Sequence, residues 1–137
     1  MNVKNGHDFL IITNNPLVER CLGAYYTVKL HEDCTYRDIL IKVRDLVYAS
    51  HTLYTHPLSG SVKPNETPYK SVVVSKVPHA FSAEEAEIIA YCIETFDKFK
   101  PRGITLTDSV KRDFQLIDYT LVCGAVDFDA AAGLSKI

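Results

Sequence analysis

Phe9-Leu10-Ile11-Ile12-Thr13-Asn14-Asn15-Pro16 is the stretch that decides the fold. The run from Phe9 to Thr13 is short, unbroken and flanked by polar residues, the pattern of a strand covered on both faces. Asn15 then makes a good N-cap. Pro16 suits the first helical position, where its missing N–H costs nothing. A buried strand turning straight into a helix is how a layered α/β domain opens. The helix should run from Pro16 to Cys21 and stop at Gly23.

Working outward, Ala24 to Leu30 is rich in aromatic and β-branched residues and reads as a second strand. Ala24, Tyr26, Val28 and Leu30 share one face; Thr27 and Lys29 on the other mark it as an edge. Thr35 and Asp38 form an approximate capping box. Behind them Tyr36, Ile39, Leu40, Val43, Leu46 and Val47 recur at helical spacing. A long loop, His51 to Tyr69, holds three of the six prolines. Ser71 to Val77 is a third strand, closed by Pro78. Ser82-Ala83-Glu84-Glu85 opens a helix reaching to Phe99, with Ala86, Ile89, Ala90, Ile93 and Phe96 as its buried stripe.

A last helix begins at Thr107 or Asp108 and turns Val110, Phe114, Ile117 and Leu121 inward. Its far end is apolar on more than one side (Leu116, Tyr119, Cys123, Val126), so it meets either the tail or a second subunit of a homodimer. Residues 129–137 read as a weakly patterned, flexible tail. The expectation is a single α/β domain over residues 1–137. It is a small three-layer Rossmann-like domain with a three-stranded, mainly parallel sheet of order 2-1-3 and four flanking helices.

Composition sets limits on function. Apolar residues make up 47% and charged residues 23% of the 137 residues, the balance of a globular chain rather than a disordered one. A formal net charge of −2 offers no basic footprint for nucleic acid. The apolar runs are too short to span a bilayer, and the polar start lacks the order of a signal peptide. The expected location is therefore cytoplasmic, with no membrane partner. Cys21, Cys34, Cys92 and Cys123 form no C-x-x-C pair, so free thiols are expected.

In an open parallel sheet, ligands gather at the carboxyl ends of the strands. Three segments are expected at that rim: Thr13 to Pro16, His31 to Thr35, and Pro78 to Ser82. Asn14 and Asn15 either help hold a small anion at the helix start or simply begin that helix. Cys34 beside a helix start, with His31 or His79 as base, has the residue types of a thiol nucleophile. Glu32 and Asp33 oppose this by disfavouring the thiolate, and a loop cysteine without chemistry is the plainer reading.

The loop supplies His56, Ser59, Ser61, Lys63, Asn65, Glu66 and Lys70 as further candidate ligand groups. Loops of this length are either functional or stiffened surface connections. Entering a parallel strand, this one starts at the sheet end opposite the rim and must double back to join Asn14. His51 and His56 lack the i, i+4 spacing of helical metal ligands, so no metal site is expected. Neither G-x-G-x-x-G nor G-x-x-x-x-G-K-[ST] occurs, and no cofactor is implied.

Ile11-Ile12-Thr13-Asn14-Asn15-Pro16 and the stretch His56-Pro57-Leu58-Ser59-Gly60-Ser61-Val62-Lys63-Pro64-Asn65-Glu66-Thr67-Pro68-Tyr69 together resemble the GrdX family. These are small proteins encoded beside the glycine, sarcosine and betaine reductases of amino-acid-fermenting bacteria. The resemblance covers most of the chain and implies an accessory role in Stickland metabolism. It brings no catalytic residues with it. Three readings stay open. One is a non-catalytic module that binds a small carboxylate or phosphate or docks on a reductase component. Another is a small enzyme acting on a carboxylate or acyl phosphate, with Asn14, His56, Lys63 and Glu66 converging. The last is a purely structural partner.

Overall fold

The computed structural model describes residues 8–58, 63–100 and 105–135. Three strands form one sheet of order β2-β1-β3: β1 (Phe9–Thr13), β2 (Thr27–Leu30) and β3 (Ser71–Ser75). Five helices are present among the described residues: α1 (Pro16–Leu22), α2 (Tyr36–Tyr48), α3 (Ala83–Lys98), α4 (Asp108–Val126) and α5 (Ala130–Leu134). The added helix, α5, lies where the sequence suggests only a tail.

Side chains alternate across the pleat and bury both faces. Leu10, Ile12, Val72 and Val74 pack with Ile39, Leu40, Val43 and Val47 of α2 and with Ile89 of α3. Phe9, Ile11 and Val73 pack with Val18 and Leu22 of α1 and with Tyr119, Val122 and Val126 of α4. Each such aliphatic side chain contributes about 1.5–3 kcal/mol when fully buried. Two apolar layers on one sheet explain why β1 carries no polar residue until Thr13.

The expected order 2-1-3 is present, but the sheet is mixed rather than mainly parallel. β1 pairs with β2 in parallel, Leu10 opposite Thr27 and Thr13 opposite Leu30. β1 pairs with β3 antiparallel, Phe9 opposite Ser75 and Thr13 opposite Ser71. The physical reason lies just after α2. Residues 52–55 run extended along the outer edge of β3: Ser75 N–H donates to Thr52 O, and Tyr54 N–H donates to Val73 O. Leu53 bridges Val74 in antiparallel sense. The chain thus climbs one edge before the loop and descends as β3. This places the start of β3 beside the end of β1, and moves Pro78 to Ser82 to the opposite end of the sheet.

Local capping follows the sequence closely at α2. Thr35 Oγ1 accepts from Asp38 N–H at 3.1 Å, and Asp38 Oδ2 accepts from Thr35 N–H at 3.0 Å. Thr35→Ala should therefore lower stability by about 1 kcal/mol, read from chemical denaturation; an unchanged midpoint would show that α2 is held by its core face alone. At α3, Ser82 caps Glu85 N–H, but the reciprocal bond is absent because Glu85 Oε1 accepts from Leu53 N–H. Its fully buried face is Ile89 and Cys92, while Ala90 is exposed.

The inward face of α4 also differs from the expected one. Asp118, Tyr119, Val122, Cys123 and Val126 are buried, whereas Ile117 and Leu121 are 39% and 43% exposed. Burial of Asp118 fixes this rotation. The far end of α4 packs on α5, with Tyr119 Oη donating to Ala130 O at 2.7 Å.

Candidate functional site

The parallel β1–β2 pair and the antiparallel start of β3 bring Thr13, Asn14, Asn15, Lys70 and Ser71 to one rim, and α4 adds Asp118. All six are buried. Asn15 caps α1 by accepting from Leu17 N–H, and its amide donates to Gln115 O at 2.9 Å and to Asp118 Oδ2 at 3.0 Å. Ser71 Oγ donates to the same Asp118 oxygen at 2.7 Å. With that proton committed, the 2.6 Å contact between Thr13 and Ser71 has the threonine hydroxyl as donor. Thr13 Oγ1 accepts in turn from Asn15 N–H at 2.9 Å.

Asn14 ties three chain segments together. Its amide nitrogen donates to Cys34 O at 3.0 Å and to Pro68 O at 2.9 Å. Its amide oxygen accepts from Lys70 N–H at 2.9 Å. Both amide protons of Asn14 and both of Asn15 are thereby used by the chain itself. Their placement serves to hold Lys70, Ser71 and Asp118 in position.

Those held residues have the chemistry. Lys70 is only 6% exposed and Asp118 7%. Burial pulls the Lys70 ammonium below its usual range, against the pull of the Asp118 charge. Burial pushes the Asp118 carboxyl above its usual range, opposed by Ser71, Asn15 and Lys70. Lys70 Nζ lies 5.8 Å from the centre of the Tyr36 ring, within cation–π range. Burial, then Asp118 and Cys92, raises the Tyr36 phenol. Opposed shifts of two neighbouring groups are a recognised mark of sites that bind or react.

Two small clefts flank the pair. One, about 290 Å³ counting its open mouth, is lined by Tyr36, Thr67, Tyr69, Phe114 and Ile117. The other, about 300 Å³, is lined by Thr55, Ser71, Val73, Val122 and Ala125. Lys70, Asp118 and Leu121 line both. Tyr69 is fixed at the first mouth by a 2.8 Å bond from Gln115 Nε2 to its hydroxyl.

Of the loop candidates among the described residues, Lys70 belongs to this cluster, and the stretch before it reaches the cluster through Pro68 and Tyr69. His56 Nδ1 accepts from Leu58 N–H at 3.1 Å, and the ring lies in a separate groove with Glu84 and Glu85. Lys63 is exposed, and its carbonyl accepts from Glu66 N–H in a turn. Asn65 donates to Lys100 O at 2.9 Å, while its buried Oδ1 has no hydrogen-bond partner among the described residues. Ser59 and Ser61 lie outside the described residues. Asp118 escaped the sequence reading, although a single carboxylate among Leu116, Ile117, Tyr119, Leu121 and Val122 was the available signal.

The thiol arrangement is not assembled with His79, whose backbone bonds to Ser50 O at the opposite end of the sheet. Cys21, Cys92 and Cys123 are buried. Burial raises each thiol, Cys123 to about 11, which keeps them protonated and unreactive near neutrality. Among the described residues no group of three or more His, Cys, Asp or Glu side chains is placed to hold a metal. Nor is any described helix long and apolar enough to cross a membrane.

No curated protein and no solved structure matches the chain. A family model described as GrdX-like protein matches residues 10–127, a span that includes the whole rim cluster from Thr13 to Asp118. The chain belongs to the GrdX-like family.

Proposed function

We propose that this protein is a non-catalytic, cytoplasmic accessory of the glycine, sarcosine and betaine reductase system. In this reading it binds a small carboxylate- or phosphate-bearing metabolite in the clefts over Lys70. The observation that carries it is the buried Lys70 amine beside Asp118 and Tyr36 at the floor of those clefts. A cation desolvated in a polar pocket gains far more from an arriving anion than one in water. Each cleft is narrow inside, with room for little more than a water or two, so a ligand of a few heavy atoms would sit at the mouth and a nucleotide is disfavoured. Apolar Phe114, Ile117 and Leu121 at the walls would cover methyl or methylene groups.

The enzyme alternative, with Asn14, His56, Lys63 and Glu66 converging, is less favoured. His56 and Lys63 make no hydrogen bond to Asn14, and His56 sits in a different groove. Docking on a reductase component has its own support in the exposed Leu116, Ile117 and Leu121 beside the cleft.

The test is thermal unfolding against glycine, sarcosine, betaine, acetate, acetyl phosphate and phosphate. A ligand at about 100 times its Kd adds about 2.7 kcal/mol, a shift of several degrees. Lys70→Met should abolish the shift, and Lys63→Ala should keep it. An anion favours the protonated amine, so affinity should fall as pH rises through the lowered Lys70 value, with proton uptake visible by calorimetry in different buffers. Absence of any shift at millimolar concentration would overturn the metabolite reading.

A further inference from the structure

The face of the sheet that carries α2 is covered unevenly. α2 and α3 pack over β1, β3 and Leu53, and the strip above the edge strand β2 has no helix on it among the described residues. A groove of about 700 Å³, counting its open side, remains there. Its floor is Leu10 and Ile12 of β1, one wall is Lys29 and His31, and the other is Lys42, Asp45 and Leu46 of α2.

Three features define what would fill it. The floor is apolar and continuous with the core, and Leu46 is left only half-covered although it lies on the apolar stripe of α2. The walls are basic. Asp45 is already engaged by Arg44 at 3.0 Å, and Asp38, one turn before Lys42, faces it on the same helix. Lys29 and His31 have no acidic partner within ion-pair distance among the described residues. Burial and the fields of Lys42 and Lys29 all depress the His31 imidazole, so positive potential converges on the groove.

The third feature is shape. Helices pack on a sheet as a layer with neighbours about 8–10 Å apart, and the position beside α2 over β2 is one such slot. Four strand residues span about 13 Å, the length of about nine helical residues. Lys29 on a four-residue edge strand also discourages strand addition, which favours occupation from above.

We propose that this groove docks an acidic amphipathic helix of a partner protein. Its apolar stripe covers Leu10, Ile12 and Leu46, while Glu or Asp side chains on its flanks meet Lys29, His31 and Lys42. This site is separate from the Lys70 clefts and does not depend on what they bind.

The probe is a fluorescein-labelled helical peptide of about fifteen residues, with leucines at i, i+3, i+4 and i+7 and glutamates on either side. A matched peptide carries lysines in place of the glutamates. Titrated with the full chain at low salt, the acidic peptide should bind and the basic one should not. The double variant Lys29→Glu, Lys42→Glu should weaken binding roughly tenfold or more, with an unchanged melting temperature, and high salt should do likewise. The His31 ring resonance should titrate at higher pH in the complex, because acidic side chains offset the two lysines. Equal binding of both peptides, unchanged binding by the double variant, or no binding at millimolar protein would each overturn the proposal. Self-association abolished by the same double variant would also overturn it, by assigning the groove to a second copy.

Discussion

Asp118→Ala is expected to cost about 3–5 kcal/mol of folding stability, since it removes one member of a buried charged network and strands the others. Ser71 Oγ and Asn15 Nδ2 both donate to Asp118 Oδ2 and would lose their acceptor together. Lys70 would lose the charge that opposes its desolvation. Asp118→Asn keeps an oxygen for both donors and should cost far less. The comparison carries a pH signature. The folded carboxyl is held above its unfolded value, so its contribution is complete below the unfolded range and lost as pH rises through the folded value. The asparagine variant should therefore compare best with the parent near neutrality and worst in acid. Lys70 has the opposite dependence: its contribution is complete above the free lysine range and falls away as pH drops through the lowered value. An alanine variant within about 1 kcal/mol of the parent would remove Asp118 as the organiser of the rim.

Tyr119→Ala should be of similar size, about 3–5 kcal/mol, through the cavity left by a large and fully buried ring. For a chain of this length that lowers the melting temperature by roughly 10–20 °C. The ring also positions α5. A Cβ added at Gly133 would collide with Tyr119 Oη and press on Phe128 and Cys21, so α5 approaches at a distance only glycine permits. Tyr119→Phe isolates the hydroxyl. It should cost about 1–3 kcal/mol, because Ala130 O loses its donor, and should open the chain after Asp127 to limited proteolysis. Equal protease resistance in the parent and Tyr119→Phe would show that the hydroxyl does not hold α5.

What the sequence made legible was local. Phe9 to Thr13 reads as a buried strand because nothing polar interrupts it, and Asn15-Pro16 reads as a helix start because both residues suit it. Thr35 and Asp38 announce α2 by themselves. The direction of β3 was not legible, since Val72-Val73-Val74 looks the same in either sense. Direction is set by bonds between residues 52–55 and β3, formed between segments with no shared motif. The buried face of α4 departs from its apolar periodicity for a related reason. Periodicity counts apolar residues, and a carboxylate buried by Ser71 and Asn15 breaks that count. Asn14 and Asn15 could be named as rim residues from their place after β1. That their amides brace other residues depends on Cys34, Pro68, Gln115 and Asp118, which sequence distance hides.

The antiparallel attachment of β3 has a consequence for the order in which the chain can fold as it is made. β1 is the centre of the sheet, yet Thr13 and its partner Ser71 are 58 residues apart, and the cover that α1 begins over Phe9 and Ile11 is completed only with Tyr119 to Val126. At about 5–20 residues per second, a nascent strand β1 stays unpaired on one edge and incompletely covered for several seconds. The stretch most decisive for the finished fold is thus the one most open to misassociation during synthesis. A ribosome-bound chain ending before α4 should engage holdase chaperones far more strongly than one extended past Val126.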